Sequence, residues 1–154
     1  MSVQDRVQEK VVLDFREIRA RLGGLELPQV DLVVGIATGG SVPASLAAYK
    51  LGAPLVMMRL NYRAEDNTPQ RPEPELLSTF QPPNAARVLL VDDVSVTGQT
   101  LQTAKALLPH SHVTTLVMKG RGDFVLFPEV SSCVVWPWKE LPYNVAPQPD
   151  KEPT

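Results

Sequence analysis

The chain has 154 residues, of which 44% are hydrophobic and 21% charged, a size and balance typical of one compact globular domain. Its 15 basic and 17 acidic side chains give a net charge of -2, which argues against a basic nucleic-acid-binding surface. The single cysteine, Cys133, excludes an internal disulfide and a cysteine-based zinc site. We expect Cys133 to be a buried strand residue. No membrane-length apolar run or signal peptide is present, so we expect a cytoplasmic protein that binds no membrane.

The first third of the chain alternates between helical and strand patterns. Apolar residues at helical spacing predict helices over 5–22 and 42–51, and short apolar runs predict buried strands over 31–37 and 54–60. Gly23-Gly24 is typical of a helix end. The glycines of Thr38-Gly39-Gly40-Ser41 separate the first strand from the second helix.

The segment 61–83 is polar and proline-rich and has no clear period. A loop of this length inside a compact domain is usually a lid or a disordered segment, so we expect 61–83 to be flexible. Prolines are also frequent near the end of the chain. The sequence therefore predicts a single domain over 1–143 and a disordered tail over 144–154.

The second half of the chain continues the alternation. Strands are predicted over 87–91, 113–118 and 133–136, and a helix over 100–108. Strands that alternate with helices predict an α/β fold, with an open, mainly parallel, twisted sheet flanked by helices. Ligands of such sheets bind at the carboxyl ends of the strands. Three segments lie there: Thr38-Gly39-Gly40, Asp92-Asp93 with the loop that follows, and Lys119.

The segment Val91–Thr100 carries the strongest chemical signal. Two adjacent acids follow an apolar strand, and a turn of small residues leads into a helix. Free backbone N–H groups at a helix N-terminus, together with the helix dipole, attract phosphate. Carboxylates beside that turn would repel bare phosphate, but they suit Mg²⁺ or the hydroxyls of a sugar. The implied ligand is a sugar phosphate, together with a metal ion.

These residues resemble a known family. Val88–Thr100 resembles the phosphoribosyl-pyrophosphate signature of type I phosphoribosyltransferases, and Val34–Ala44 resembles their pyrophosphate loop. Together with the chain length, the 61–83 loop and Lys119, the pattern is most similar to short bacterial xanthine-guanine and hypoxanthine phosphoribosyltransferases. The resemblance implies their α/β fold with a small hood from the C-terminal segment. It also implies transfer of a 5-phosphoribosyl group to a purine-like base, with Mg²⁺ as cofactor and a homodimer as the assembly.

The resemblance also implies roles for individual residues. Asp92 and Asp93 would be the catalytic pair that contacts the ribose hydroxyls, directly or through the waters of the metal ion. The 5′-phosphate would be bound by Val96, Thr97, Gly98, Gln99 and Thr100. The pyrophosphate would be bound by the backbone amides of Thr38, Gly39 and Gly40.

Further roles concern the base and the lid. Lys119 would donate to a purine oxo group, and Trp136 or Trp138 would stack on the base. The lid residues that would close over pyrophosphate are Tyr62, Arg63 and Arg71. Each segment also has a purely structural alternative: an ordinary strand-to-helix turn, a surface lysine, core tryptophans or a solvated loop.

Val96 departs from the pattern of the 6-oxopurine enzymes, which usually carry an acid at this position. Valine cannot accept a proton. The alternative is therefore a non-catalytic regulatory protein of the same fold that binds a nucleotide or phosphoribosyl pyrophosphate. Gly98, two residues further on, would allow either a close approach of the phosphate or a positive φ.

Overall fold

The structure, a computed structural model, describes residues 10–61, 75–76, 80–81 and 83–139. The chain divides into two compact units. In the described part, the larger unit consists of residues within 16–131, and the smaller unit consists of residues 10–15 and 132–139.

The larger unit is built on a six-stranded sheet with the order β4-β3-β2-β5-β6-β7. All neighbouring strands are parallel except β3 and β4, which are antiparallel. The strands are β2 (Leu32–Ala37), β3 (Leu55–Asn61), β4 (Glu75–Leu76), β5 (Arg87–Ser95), β6 (His112–Gly120) and β7 (Phe124–Val125). The helices in the described part of the chain are α1 (Phe15–Gly24), α2 (Ser41–Leu51) and α3 (Gln99–Ala106). The predicted α/β fold with an open, mainly parallel sheet is confirmed.

The apolar runs of β2 and β5 form the centre of the sheet. Val34 pairs with Leu90, and neither side chain is exposed to solvent. Strands covered on both faces are apolar throughout, which is why these runs lack an alternating pattern. Helix α3 packs its apolar face on the same core, whose buried residues are Leu32, Val34, Ile36, Met58, Val88, Leu90, Leu101, Ala104, Leu108 and Val117.

Helix α2 packs closely against β2 because the residues in contact have small side chains. Ala44 and Ala47 are completely buried on this helix. A Cβ at Gly35 of β2 would lie 2.5 Å from the Cβ of Ala44 and 2.9 Å from the sulfur of Met57. The helix ends at Gly52, which has a φ of 65° and so uses the left-handed conformation that glycine adopts readily.

The smaller unit contains two short parallel strands, β1 (Val11–Val12) and β8 (Val134–Val135). The helix predicted over 5–22 is therefore wrong at its start: it begins at Phe15, and residues 1–9 lie outside the described part. Branched valines suit a strand, and the N–H of Val11 donates to the carbonyl of Cys133 at 2.9 Å. The prediction that Cys133 is buried is also wrong, because it precedes β8 and is exposed.

Several sequence predictions fall on parts of the chain outside the description. Tyr62, Arg63 and Arg71 lie outside the described residues, as does the tail over 144–154. Within the predicted 61–83 loop, the structure describes the short strand β4. Sequence analysis missed β4 and β7, because two-residue strands are too short to show a period. None of the helices in the described part has the length and apolar character needed to cross a bilayer.

We predict that Gly35→Ala lowers the free energy of unfolding by about 1–3 kcal/mol, because the new methyl group meets the rigid Cβ of Ala44. Gly23→Ala is the control, since a Cβ at Gly23 meets no atom within 4 Å and alanine favours a helix. Urea denaturation measures both variants. A Gly35→Ala protein as stable as the wild type would contradict the close packing.

Candidate active site

The carboxyl ends of β2 and β5 meet without room for a side chain between them. A Cβ at Gly39, just after β2, would lie 2.6 Å from Oδ2 of Asp93. A Cβ at Gly40 would lie 2.6 Å from the backbone oxygen of Val91. The turn that resembles a pyrophosphate loop therefore lies directly against the acid pair, as the parallel topology predicts.

Backbone hydrogen bonds fix the turn after β2. The N–H of Gly40 donates to the carbonyl of Ile36 at 2.8 Å, and the N–H of Ser41 donates to the carbonyl of Thr38 at 3.1 Å. The peptide bond between Ala37 and Thr38 is cis. Because Gly40 and Ser41 use their N–H groups within the turn, Thr38 and Gly39 supply the amides that the turn can offer to a ligand.

The acid pair lies inside β5 and not at its end. The predicted strand end at Val91 is wrong, since β5 continues to Ser95, with Val94 paired to Lys119. The N–H of Asp93 donates to Oδ1 of Asp92 at 2.8 Å, and the N–H of Val94 donates to Oδ1 of Asp93 at 2.7 Å. Each carboxylate is thereby held by the next residue of its own strand, and Asp92 is only 7% exposed.

The turn between β5 and α3 has the features of a phosphate-binding turn. Gly98 is the N-cap of α3 and has a φ of 84°, so the positive φ is one reason for a glycine here. A Cβ at Gly98 would meet no protein atom within 4 Å. The first intrahelical bond runs from the N–H of Gln102 to the carbonyl of Gly98. The N–H groups of Thr100 and Leu101 lie in the first turn of α3, before that bond, so no carbonyl within the helix accepts them and they are directed outward from its N-terminus.

The end of β6 brings Lys119 beside the end of β5. The N–H of Arg121 donates to the carbonyl of Ser95 at 2.8 Å, and a Cβ at Gly120 would collide with the same oxygen. A cavity of about 370 Å³ opens between these strand ends and residues 128–131. Its walls include the apolar side chains of Val94, Val96, Pro128 and Val130 and the cations Lys119 and Arg121.

The two tryptophans belong to the smaller unit. Trp136 and Trp138 stack on each other, with ring centroids 5.1 Å apart and an interplanar angle of 6°. Phe15 contacts Trp138 at a centroid distance of 6.2 Å. The stacking of either ring on a base stays a prediction.

Sequence analysis missed the anchor that holds the segment after β6. Oδ2 of Asp123 accepts hydrogen bonds from the N–H and the hydroxyl of Thr115, at 2.9 and 3.1 Å. The N–H of Asp123 donates in return to Oγ1 of Thr115 at 2.8 Å. The backbone N–H of Thr115 is the main reason why the pKa of Asp123 lies below its ordinary value. The signal in the sequence was an acid just after Lys119, in Gly120-Arg121-Gly122-Asp123.

Comparison with known proteins agrees with this geometry. The model of the phosphoribosyl transferase domain family matches residues 26–120. An orotate phosphoribosyltransferase of Aeropyrum pernix is 31% identical over 123 residues, which cover 77% of this chain and 60% of that protein. A xanthine-guanine phosphoribosyltransferase of a Ruegeria species is 26% identical over 146 residues, which cover 84% of this chain and 81% of the relative.

Solved structures agree on the fold. The crystal structure of a purine phosphoribosyltransferase from Pyrococcus horikoshii superposes with a TM-score of 0.67 and 24% identity, covering 88% of this chain and 97% of that one. The chain belongs to the phosphoribosyltransferase family, since the family model matches more than half of its residues. The resemblance to the type I enzymes is thereby confirmed.

We predict that Asp123→Ala lowers the melting temperature by a few degrees at pH 7 and by less at about pH 3. A folded-state pKa below the unfolded one stabilises the protein above the unfolded pKa, and this stabilisation is lost as the pH falls through the folded pKa. Thermal denaturation at both pH values measures the difference, and Glu26→Ala, at an exposed acid, is the control. An equal loss at both pH values would contradict a charge-dependent anchor.

Proposed function

We propose that this protein transfers the 5-phosphoribosyl group of phosphoribosyl pyrophosphate to a nitrogenous base, with release of pyrophosphate. The observation that supports this most is the contact of Gly39 with the carboxylate of Asp93. This contact brings a turn suited to pyrophosphate next to acids suited to ribose hydroxyls. The start of α3 follows shortly after the end of the strand that carries the acids. A single phosphoribosyl pyrophosphate molecule needs these sites together.

Each end of the substrate has its own partner in this proposal. The N–H groups at the start of α3 bind the 5′-phosphate, with the hydroxyls of Thr97 and Thr100 as further donors. The amides of Thr38 and Gly39 bind pyrophosphate. Asp92 and Asp93 hold the ribose hydroxyls and stabilise the positive charge that develops on the ribose ring as pyrophosphate leaves. Catalysis is therefore mainly positioning and charge stabilisation.

The donor set fits Mg²⁺. Asp93 uses Oδ1 for the N–H of Val94, and both of its carboxylate oxygens lie within 2.7 Å of the position of a Cβ at Gly39, next to the pyrophosphate turn. Mg²⁺ is usually bound by one or two carboxylates together with substrate phosphates and water. Asp93, with Asp92 beside it, would hold the ion directly or through water. When bound, Mg²⁺ neutralises charge on the leaving pyrophosphate.

The base belongs in the cavity of about 370 Å³ beside Lys119. The ammonium group of Lys119 is suited to donate to an oxo group of a purine-like ring. Similarity to xanthine-guanine phosphoribosyltransferases supports a purine, whereas similarity to an orotate phosphoribosyltransferase supports a pyrimidine. Stacking of Trp136 or Trp138, closure of the lid, a homodimer and a cytoplasmic location complete the proposal.

One observation favours a second candidate function. Val96 is 65% exposed and lies in the wall of the base cavity, where it offers no group that accepts a proton. A regulatory protein that binds a nucleotide or phosphoribosyl pyrophosphate without turnover would need no such group.

Pyrophosphate release with a panel of bases separates the two functions. The enzyme hypothesis predicts release with at least one base, in the presence of phosphoribosyl pyrophosphate and Mg²⁺. Calorimetric binding of phosphoribosyl pyrophosphate without turnover of any base would favour the regulatory protein. Absence of both binding and turnover would overturn the whole proposal.

We predict that Asp93→Asn lowers kcat/KM about 100-fold, because it removes one of the charges that face the developing positive charge. Steady-state kinetics measures the loss, and thermal denaturation checks that the variant is folded. Asp31→Asn is the matched control, since Asp31 pairs with Arg87 just before β2 begins, at the opposite end of that strand. Unchanged kinetics in Asp93→Asn would rule out the assigned role.

We also predict that Gly39→Ala weakens binding of phosphoribosyl pyrophosphate at least tenfold and leaves the protein folded, because the carboxylate of Asp93 can rotate away from the new methyl group by giving up its hydrogen bond from the N–H of Val94. Gly40→Ala is the matched comparison. Its methyl group meets the backbone oxygens of Val91 and Ile36, which cannot rotate, so stability falls by about 1–3 kcal/mol. Calorimetry and urea denaturation measure both variants. Normal affinity in Gly39→Ala would contradict the coupling of turn and acid.

A further inference from the structure

Arg121 is the cation that the proposed reaction leaves without a role. It follows Gly120 at the end of β6, and its N–H donates to the carbonyl of Ser95, which fixes its backbone against β5. Arg121 is exposed, and it lines the base cavity as well as a neighbouring cavity of about 300 Å³ that Lys105 and Asp123 also line. In the part of the chain that the structure describes, no hydrogen bond or ion pair neutralises its guanidinium group.

The charge of the base cavity is one-sided. Lys119 and Arg121 both contribute to its wall, and none of the described residues that form the wall is acidic. The acid closest along the chain, Asp123, already accepts the N–H and hydroxyl of Thr115 through Oδ2. A cavity with two cations and no carboxylate favours a negatively charged ligand.

The remaining wall suits a flat ring with polar edges. Val94, Val96, Pro128 and Val130 supply apolar surface. Ser95 also lies in this wall, is only 6% exposed, and its hydroxyl has no hydrogen-bond partner within the described residues. An unpartnered buried hydroxyl is costly, so a polar ring atom that pairs with it after a small rotation would gain binding energy.

We propose that Arg121 determines the charge of the accepted base: a ring that carries a carboxylate or an ionised oxo group is preferred over its neutral counterpart. The proposal rests on the proposed function and names the class of base that accepts the phosphoribosyl group. In this transfer, a ring nitrogen of the base attacks C1′ of the ribose while the bond from C1′ to the pyrophosphate oxygen breaks. The electron pair leaves with pyrophosphate, and the proton of the ring nitrogen passes to water.

Two pairs of bases that differ by one charge test the proposal: orotate against uracil, and xanthine at mildly alkaline pH against hypoxanthine. We expect the charged member of at least one pair to be preferred at least tenfold in kcat/KM. Arg121→Gln should lower kcat/KM for the charged base of that pair about 10- to 100-fold and should change kcat/KM for the neutral base less than threefold. Arg121→Lys should restore part of the preference, because it keeps the charge.

Arg19→Gln is the control, since it removes one exposed positive charge on α1. Calorimetry with the corresponding nucleoside monophosphates gives a second measurement that needs no turnover. The nucleotide whose base is charged should bind more weakly to Arg121→Gln and with unchanged affinity to Arg19→Gln. Preference for neutral bases, or an equal loss on both members of each pair, would overturn the role of Arg121 and leave the transferase intact. A protein that binds no nucleotide and no phosphoribosyl pyrophosphate would overturn both proposals.

Discussion

The arrangement of the site depends on the lack of space around the end of β5. On one side, Gly39 and Gly40 lie so close to Asp93 and Val91 that a single methyl group would not fit. On the other side, Gly120 lies against the carbonyl of Ser95. Glycines in the turn after β2 and at the end of β6 thus let both segments approach β5 closely. Packed contacts of this kind fix positions to within fractions of an ångström, which a catalytic site needs.

The same strand separates two electrostatic environments. Asp93 of the acid pair lies against the turn that follows β2, and each carboxylate of the pair accepts a hydrogen bond from the N–H of the next residue. Towards β6, the strand ends at an apolar cavity with Lys119 and Arg121 in its wall. A positively charged ribose ring suits the first environment, and an electron-rich base suits the second. In the proposed reaction, the base and the ribose would therefore approach each other from sides of opposite charge.

The sequence was sufficient for the architecture and for the segments of the site. Continuous apolar runs identified β2 and β5, and the small residues after each run identified the turns of the candidate site. It did not show that β5 runs on through Asp92-Asp93 to Ser95. Acids have low strand propensity, and here they are accommodated because their side chains accept the N–H groups of the strand itself.

Other features required long-range contacts that no local pattern contains. Val11 and Val12 fit the helical spacing of their neighbours. They nevertheless form a strand, because they pair with Val134 and Val135 of β8, which lie far away in the sequence. The role of Thr115 likewise depends on Asp123, which returns beside β6 after a tight turn. Gly39 is recognisable as part of a turn, but its contact with Asp93 appears only once β2 and β5 are neighbours.

The most direct test of the account is a crystal structure of the protein with ribose 5-phosphate. The account predicts that the phosphate accepts hydrogen bonds from the N–H groups of Thr100 and its neighbours at the start of α3, with the ribose hydroxyls beside Asp92 and Asp93. A sugar phosphate bound elsewhere, or an empty turn with both acids directed into solvent at saturating ligand, would contradict it.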